Sequence, residues 1–297
     1  MTPSPFDVLT QINLDDLVSA FGWGQYPFLS KILQLAFISP ARNFAQNMMD
    51  FDTDIARVGL GEAARQNLRD HYVQDLRAHG MENIPATGPA LFLSNHPGLV
   101  DTLALFSAIN RADLRIIAIE RPFLATLANT SKQLFYISED ESERIRAVRQ
   151  VSSHLKNGFS ALTFPAGEIE PDPAVHNDAI DSLAHWTNSA GVFIRFARDT
   201  VIVPTLVSGV VWEASLRNPL LWFKQTRKER ELLAAAFQAF FMLSRNFRPT
   251  TVHVRFAKPI TLDEIGSTET DAIHRIVIER MRGLIQNSPT DHGTSIL

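Results

Sequence analysis

Cysteine is absent from all 297 residues of the chain. Disulfide bonds, thiolate metal sites and cysteine nucleophiles are therefore excluded. Glycine, with 14 residues, is also sparse, and no internal repeat or low-complexity tract is present. With 45% hydrophobic and 20% charged residues, this is a globular composition, which excludes a disordered or collagen-like chain. An intracellular protein without disulfides fits this composition.

Long apolar runs are missing as well. The longest charge-free apolar stretches cover residues 32–41, 201–212 and 232–244. Each is well short of the ~20 residues that a membrane-spanning helix needs, so we predict no transmembrane segment. The N-terminal residues include Asp7 and no basic segment ahead of an apolar block, which argues against a secretory signal.

An excess of one charge sign is also lacking. The formal net charge is −4, which gives no general attraction to nucleic acid. Cations nonetheless concentrate between residues 212 and 258, and they form a basic patch if they fold onto one face. They are Arg217, Lys224, Arg227, Lys228, Arg230, Arg245, Arg248, Arg255 and Lys258. The segment 212–228 also carries Trp222 and Phe223, a mixture typical of membrane interfaces.

Residues 1–80 are predicted to form an N-terminal helical region. A helix is expected to start near Asn13, a second runs from residue 28 until Pro40 closes it, and helix continues over residues 44–78. The second helix belongs either to the core or to a membrane interface or acyl-chain pocket. The interfacial reading depends on Trp23, Tyr26, Phe28 and Lys31, which are residue types that settle at a headgroup boundary.

Residues 81–297 are predicted to form an α/β domain, because short apolar strands alternate with helices. This alternation favours a largely parallel central sheet flanked by helices on both faces. The strand candidates are residues 90–93, 114–119, 134–137, 161–164, 201–207 and 252–256. The intervening helices are expected over residues 101–109, 122–131, 141–156, 179–198, 230–247 and 263–285.

His96 and Asp101 lie in the stretch 94–101, where the first of these strands turns into a helix. An imidazole can take a proton from a hydroxyl near neutral pH, and a nearby carboxylate can orient it. The spacing alone is weak, since His176 and Asp181 share it with no strand ahead. We interpret that second pair as a solvated helix start that Asn177 or Asp178 caps. The turn through Pro97 and Gly98 is what allows Asp101 to return beneath the His96 ring.

Two further stretches support a catalytic interpretation of the stretch 94–101. Residues 162–170 contain Phe-Pro-Ala-Gly-Glu at 164–168, and residues 201–206 contain Val-Pro-Thr at 203–205. Over residues 81–210 the sequence resembles the glycerophosphate and lysophosphatidate acyltransferase family. That resemblance implies acyl transfer from acyl-CoA or acyl carrier protein to an acceptor hydroxyl or amine. His96 would be the general base and Asp101 its orienting partner. Backbone amides near Gly167 or in the turn after His96 are the candidate oxyanion donors.

The resemblance also implies which residues contact the substrates, and it implies neither a cofactor nor a metal. The expected substrate-binding residues are Asn95, Arg121, Ser138, Phe164, Pro165, Gly167, Glu168 and Pro204. The expected partners are the thioester donor, a lipid acceptor and a membrane surface, without nucleic acid. A location in the cytoplasm, peripheral on the inner face of the cell membrane, follows as an expectation.

Two departures from the family pattern bear on the acceptor. Ser138 stands where an arginine usually holds the acceptor's phosphate, so phosphate binding needs another cation. The candidates are Arg121, Lys132, Arg144 and Arg146, each of which is alternatively a solvated charge.

The second departure is Ala166, which replaces the usual glutamate, with Glu168 following the glycine. This arrangement is similar to the ornithine-lipid and haemolysin-like branch. An acidic pocket of Glu139, Asp140, Glu168 and Glu170 would then suit an amine acceptor.

We therefore expect an acyltransferase that acts on a glycerol-phosphate or lysophospholipid-type hydroxyl. The alternatives are N- or O-acyl transfer to an ornithine-type acceptor, a thioester hydrolase, and a non-catalytic lipid-binding protein of the same fold.

Overall fold

A computed structural model of the chain describes residues 3–22, 24, 26–98, 100–138, 140–287, 289 and 292–297, with Lys228 described in its main chain only. Trp23 and Glu139 lie outside the described residues, and so does Leu99 in the stretch 94–101. The interfacial reading of Trp23 and the acidic role of Glu139 therefore stay predictions.

Helices and strands alternate from residue 75 onward. The helices are α1 (Pro5–Phe21), α2 (Pro27–Val58), α3 (Leu60–Asn67), α4 (Asp101–Ile109), α5 (Pro122–Thr126), α6 (Ala128–Ser131), α7 (Glu141–Lys156), α8 (Ser189–Phe196), α9 (Glu213–Leu216), α10 (Arg227–Arg245), α11 (Leu262–Ile265) and α12 (Thr270–Gln286). The strands are β1 (Asp75–His79), β2 (Ala90–Ser94), β3 (Arg115–Ile119), β4 (Leu134–Ile137), β5 (Ser160–Thr163), β6 (Val201–Ser208), β7 (Thr251–Phe256) and β8 (Thr294–Ser295). Short 3-10 or π turns cover Leu68–Tyr72, Met81–Asn83, Ala179–His185 and Pro219–Phe223.

The strands form one sheet in the order β4-β3-β5-β2-β6-β7-β1-β8. β2 lies in the interior, with parallel neighbours β5 and β6 on its two sides. β6 with β7 and β1 with β8 pair antiparallel. The predicted largely parallel α/β sheet is confirmed. Because the carboxyl ends of parallel strands share one edge, whatever follows β2 meets whatever follows β5 there.

Two apolar layers cover the sheet, as the alternation of side chains along β2 requires. Phe92 is fully buried on the face that α1–α4 and α10 cover. Leu91 and Leu93 are buried on the other face, against α7, α8 and α12. This three-layer arrangement holds the end of β2 rigidly between helices of both layers.

The first two helices differ from the prediction. α1 begins at Pro5, where Ser4 caps it by accepting from the Asp7 N–H at 3.2 Å. A capping serine followed by proline is a helix-start signal that the Asn13 prediction overlooked. Pro40 lies inside α2 and does not end it, so that prediction was wrong as well. The lost hydrogen bond costs about 3 kcal/mol in an isolated helix. Pro40 is buried, and the contacts of α2 with α1 and α10 hold the helix through this position.

The predicted helix over residues 44–78 is wrong at its end, where residues 75–79 form β1. This strand pairs in parallel with β7, far away in the sequence, and that partner is what stabilises it. Only Leu76 and Ala78 supply apolar side chains to it. The division of the chain at residue 80 stays a prediction, although the sheet already begins at Asp75.

Three predicted helices are split. The helix over 122–131 breaks at Leu127, because the Asp52 carboxylate accepts the main-chain N–H groups of Asn129 and Thr130 at the start of α6. The helix over 179–198 becomes a 3-10 turn and α8, and Trp186 interrupts it. The helix over 263–285 divides into α11 and α12 at Gly266, whose φ is +66°.

Several cations of the predicted basic patch have partners within the protein, and their grouping on one face stays a prediction. Arg227 pairs with Asp178 and Glu231. Lys224 donates to the Phe21 carbonyl, and the half-buried Arg255 donates to the Leu284 carbonyl. In the described part of the chain, no helix has both the length and the apolar character to cross a membrane.

Candidate active site

His96 and Asp101 are in direct contact at the carboxyl end of β2. His96 Nδ1 and Asp101 Oδ2 lie 2.8 Å apart. Because an ionised carboxylate can only accept, Nδ1 carries the hydrogen and Nε2 keeps its lone pair. Within the described residues Nε2 has no hydrogen-bond partner. The side chain of His96 is 29% exposed and that of Asp101 is 1% exposed, so the imidazole meets solvent and the carboxylate does not.

Four donors saturate the Asp101 carboxylate. Besides His96, its Oδ2 accepts from the Gly98 N–H at 2.8 Å, and its Oδ1 accepts from the main chain and hydroxyl of Thr102. Asp101 is also the first residue of α4, where the helix dipole favours a negative charge. Gly98 has φ +84°, a conformation that glycine adopts without strain. The turn therefore aims its N–H at Asp101.

The environment of His96 favours its charged form. Burial and the charge of Arg121 lower the pKa of His96. The negative charge of Asp101, its hydrogen bond and the charge of Glu170 raise that pKa, and the net shift is upward. The ring also stacks on Phe164, with centroids 4.4 Å apart and planes at 28°. Phe164 directly follows β5, the parallel neighbour of β2.

Glu170 touches His96 through its main chain. The Glu170 Oε2 accepts from the His96 N–H at 2.9 Å, and the Glu170 N–H donates to the His96 carbonyl at 2.8 Å. Its Oε1 accepts from Ser182 Oγ and Trp186 Nε1, each at 2.8 Å. The sequence placed Glu170 only in a hypothetical acidic pocket. Its contact with the His96 main chain was missed because Glu170 and His96 lie 74 positions apart.

Several residues expected to bind substrate have partners in the protein. The Asn95 amide donates to the Val207 carbonyl and accepts from the Val207 N–H, at 2.9 and 2.7 Å. Pro165 accepts from Thr187, and the Gly167 N–H donates to the Phe164 carbonyl. Pro204 lies buried within β6. These contacts hold the strand ends in place, and substrate contact by these residues stays a prediction.

Three of the carboxylates proposed to form an acidic pocket, Asp140, Glu168 and Glu170, are described, and their contacts differ. Asp140 caps α7 by accepting from the Glu143 N–H at 3.0 Å. Glu168 is exposed, with the His185 ring 4.0 Å away. Glu170 is buried against His96, and Ser138 accepts from the Asp140 N–H beyond the edge strand β4. An acidic pocket and an amine acceptor therefore stay predictions.

Arg121 follows β3 and is the predicted cation whose charge reaches the dyad. Its charge opposes the upward pKa shift of His96. It also opposes the upward pKa shift that desolvation causes at Asp16. Across the described ranges, no carboxylate lies within 4 Å of its guanidinium. In contrast, Lys132 donates to the Asn129 side chain, and Arg146 lies 4.0 Å from Glu143.

An apolar cavity of about 290 Å³ lies between α1, α2 and α10. Val100, which precedes Asp101, forms part of its wall. Phe37, Pro40, Ala41 and Phe44 line it from α2, at positions that share one helix face. Three alanines of α10, Ala235, Ala236 and Ala239, line it beside larger apolar residues, and the polar lining residues Asn13 and Asp16 come from α1.

The second pair with the same spacing gives an internal comparison. His176 Nε2 lies 3.3 Å from Glu231 Oε1, and no contact joins it to Asp181 in the described structure. Asp178 precedes the 3-10 turn Ala179–His185 without a side-chain cap. The strand and the Pro97-Gly98 turn therefore distinguish the first pair.

Comparison with known proteins gives a family match over part of the chain. No curated protein matches the sequence. Among solved structures, the 1-acyl-sn-glycerophosphate (LPA) acyltransferase PlsC from Thermotoga maritima is similar to 94% of this chain and 99% of its own, with 18% identity and a TM-score of 0.45. The model of the Acyltransferase family matches residues 75–208, from the first residue of β1 to the last of β6. This stretch contains His96, Asp101, Phe164 and Glu170, and over it the chain is similar to the Acyltransferase family, a match that supports an acyl-transferring enzyme.

Proposed function

We propose that the enzyme transfers a fatty acyl group from a thioester, acyl-CoA or acyl carrier protein, to the hydroxyl of a glycerol-phosphate or lysophospholipid-type acceptor. The observation that carries this proposal is the His96–Asp101 contact at 2.8 Å with Nε2 unpartnered in the described structure. A general base needs a lone pair facing the acceptor and an orienter behind it, and this arrangement supplies both.

The reaction then proceeds in two proton transfers. His96 Nε2 takes the proton of the acceptor hydroxyl as its oxygen attacks the thioester carbonyl carbon. The carbon–sulfur bond breaks as the tetrahedral intermediate collapses, and the imidazolium returns the proton to the leaving sulfur. Asp101 keeps the proton on Nδ1 throughout and stabilises the imidazolium between the two steps.

The oxyanion of the intermediate needs hydrogen-bond donors. The N–H groups of Gly98 and Gly167 are engaged with Asp101 and with the Phe164 carbonyl. We therefore assign the oxyanion to other donors at this edge of the sheet, and not to these two glycines.

The cavity between α1, α2 and α10 is our candidate for the acyl chain. Its wall reaches Val100, next to Asp101, so a chain lying in the cavity can present its thioester carbonyl to the dyad. Each buried methylene contributes about 0.8 kcal/mol. This supports the acyl-pocket reading of the N-terminal helices, while their division as a separate unit stays a prediction.

We assign the acceptor's phosphate to Arg121. Its guanidinium is exposed, lies close enough to alter the titration of His96, and has no ion-pair partner in the described residues. We place the hydroxyl that neighbours this phosphate at His96 Nε2. Arg121 thus takes the place of the arginine that Ser138 replaces.

Attachment to an anionic lipid surface is the remaining part of the proposal. Phe28, Ile32 and Leu35 lie on one face of α2 and are 77%, 46% and 68% exposed. Trp222 and Phe223 are 81% and 83% exposed in a turn that Lys224 ties to the end of α1. Exposed apolar groups of this size are typical of interfacial segments. The expected location is the inner face of the cell membrane.

Liposome flotation tests this attachment. Replacing Trp222 and Phe223 by serine is expected to reduce binding to anionic vesicles at least several-fold, because two large apolar groups no longer enter the interface. Ile145→Ser is the matched control, since Ile145 is exposed on α7 in the opposite layer. Equal binding by the double variant and the control contradicts this surface assignment.

Acyl transfer itself is tested with purified full-length protein, labelled acyl-CoA or acyl carrier protein, and a panel of acceptors. The panel contains lysophosphatidate, glycerol 3-phosphate and a lyso-ornithine lipid. An acylated phosphate-bearing product supports the proposal. Acylation of the amine-bearing lipid alone favours the ornithine-type alternative, and thiol release without any acylated acceptor favours a hydrolase.

A further inference from the structure

Glu170 holds both polar groups of the His96 main chain. It accepts the His96 N–H with its carboxylate at 2.9 Å and donates its own N–H to the His96 carbonyl at 2.8 Å. The residue is 4% exposed, so water contributes little to these bonds. The position of the imidazole relative to the strand therefore depends on Glu170 as well as on Asp101.

The far side of this carboxylate is fixed in turn. The Glu170 Oε1 accepts from the Ser182 hydroxyl and the Trp186 indole. Three donors therefore meet one carboxylate, and a carboxylate satisfies them all because both of its oxygens only accept. A glutamine has one accepting oxygen, so its NH₂ group faces either the His96 N–H or the Ser182–Trp186 side.

We propose that Glu170 is a positioning residue of the acyl transfer, which fixes the His96 main chain and adds a second negative charge that stabilises the imidazolium. The inference rests on the proposed function, in which His96 cycles through its charged form. Burial raises the pKa of Glu170, whereas its hydrogen-bond donors and His96 lower it, and the net shift is upward. The charge of Glu170 in turn acts to raise the pKa of His96.

Asp172 provides a matched comparison on the same loop. It is 1% exposed, and its carboxylate also accepts three N–H groups, those of Ala174, Gly209 and Val211. None of these belongs to the dyad. A purely structural role for a buried carboxylate in this loop thus predicts similar consequences for both residues, and a positioning role predicts consequences that differ.

The test compares Glu170→Gln, Glu170→Asp and Asp172→Asn in the full chain. The titration of His96 is followed through its ring ¹⁵N resonances, and kcat is measured against pH by thiol release with acyl-CoA and lysophosphatidate. For Glu170→Gln we expect the His96 pKa and the acid limb of kcat to move down together by about half a pH unit or more. The alkaline plateau should fall about tenfold, since a misplaced catalytic group costs up to ~10²-fold.

Glu170→Asp separates position from charge. The shorter side chain keeps the charge and loses its reach to the His96 N–H, so kcat should fall several-fold while the acid limb stays near its wild-type pH. This variant also carries the test if Glu170→Gln does not fold. Asp172→Asn should lower the unfolding temperature and leave the acid limb unmoved.

Wild-type values of the His96 pKa and of kcat in both Glu170 variants overturn the proposal, and so do equal shifts in Asp172→Asn. A wild-type protein that transfers no acyl group refutes the proposed function instead. The ¹⁵N titration still reports on Glu170 in that case, because it does not depend on turnover.

Discussion

Replacing Asp101 by asparagine tests the dyad most informatively, because the carboxylate accepts four hydrogen bonds, two on each oxygen. Asparagine accepts on one oxygen only. If its NH₂ group faces His96, it donates to Nδ1 and moves the ring hydrogen to Nε2, where the base must accept. If its NH₂ group faces Thr102, it meets the main-chain N–H of that residue. In either orientation one main-chain N–H loses its acceptor, which costs about 1–3 kcal/mol of unfolding free energy.

The catalytic effect should far exceed the effect on stability. Both the tautomer and the charge that stabilises the imidazolium are lost, so we expect kcat to fall by about 10⁴. The assay measures thiol release and acylated product at saturating thioester, with folding verified by circular dichroism. Asp181→Asn is the control, because Asp181 follows His176 at the same spacing without contacting it. If Asp101→Asn keeps more than about a tenth of the wild-type kcat, the assigned role of Asp101 is wrong.

Three further predictions follow from the site. Because the pKa of His96 is raised, the acid limb of kcat/KM should lie above the ordinary histidine value of ~6.5. The raised pKa of His96 also stabilises the folded protein at a pH below the pKa that His96 has in the unfolded chain. Urea titrations should show that this stabilisation is lost as the pH rises through the pKa of His96 in the folded protein. Arg121→Ala should raise KM for a phosphorylated acceptor by about 10- to 100-fold and leave KM for the thioester unchanged, since a charged hydrogen bond contributes ~1.5–3 kcal/mol; an equal rise in both KM values would contradict the assignment. Ala239 lines the cavity on α10, so Ala239→Phe should lower kcat/KM for long acyl groups relative to short ones. An unchanged ratio of the two kcat/KM values would mean that the acyl group lies elsewhere.

The features of the site that the sequence predicted are local ones. His96 and Asp101 are five positions apart, and the turn between them contains the glycine that brings them together. The strand ahead of them and the helix after them were readable from apolar patterns, and α4 and α7 were predicted at their observed bounds. Phe164 was predicted to end its strand and instead lies just beyond it, where it stacks on His96.

The features that sequence reasoning missed depend on distant partners. Glu170 reaches back 74 positions to His96, and neither residue carries a local sign of the other. β1 forms because β7 pairs with it, since its own apolar content is small. Pro40 predicted a helix end because proline removes a helical hydrogen bond. α2 nevertheless continues through Pro40, and it packs against α1 and α10. Asp52 divides a predicted helix from 77 positions away, which again no local pattern reports.

Comparing the wild type with His96→Ala tests directly whether His96 acts as the general base of acyl transfer. The measurement is the rate at which a labelled acyl group passes from acyl-CoA to lysophosphatidate, at a pH above the raised pKa of His96. We expect acylated product from the wild type and a rate at least ~10²-fold lower in the variant, because general base catalysis accelerates a reaction by about 10²–10⁴-fold. Full acyl transfer by folded His96→Ala would contradict this role of His96.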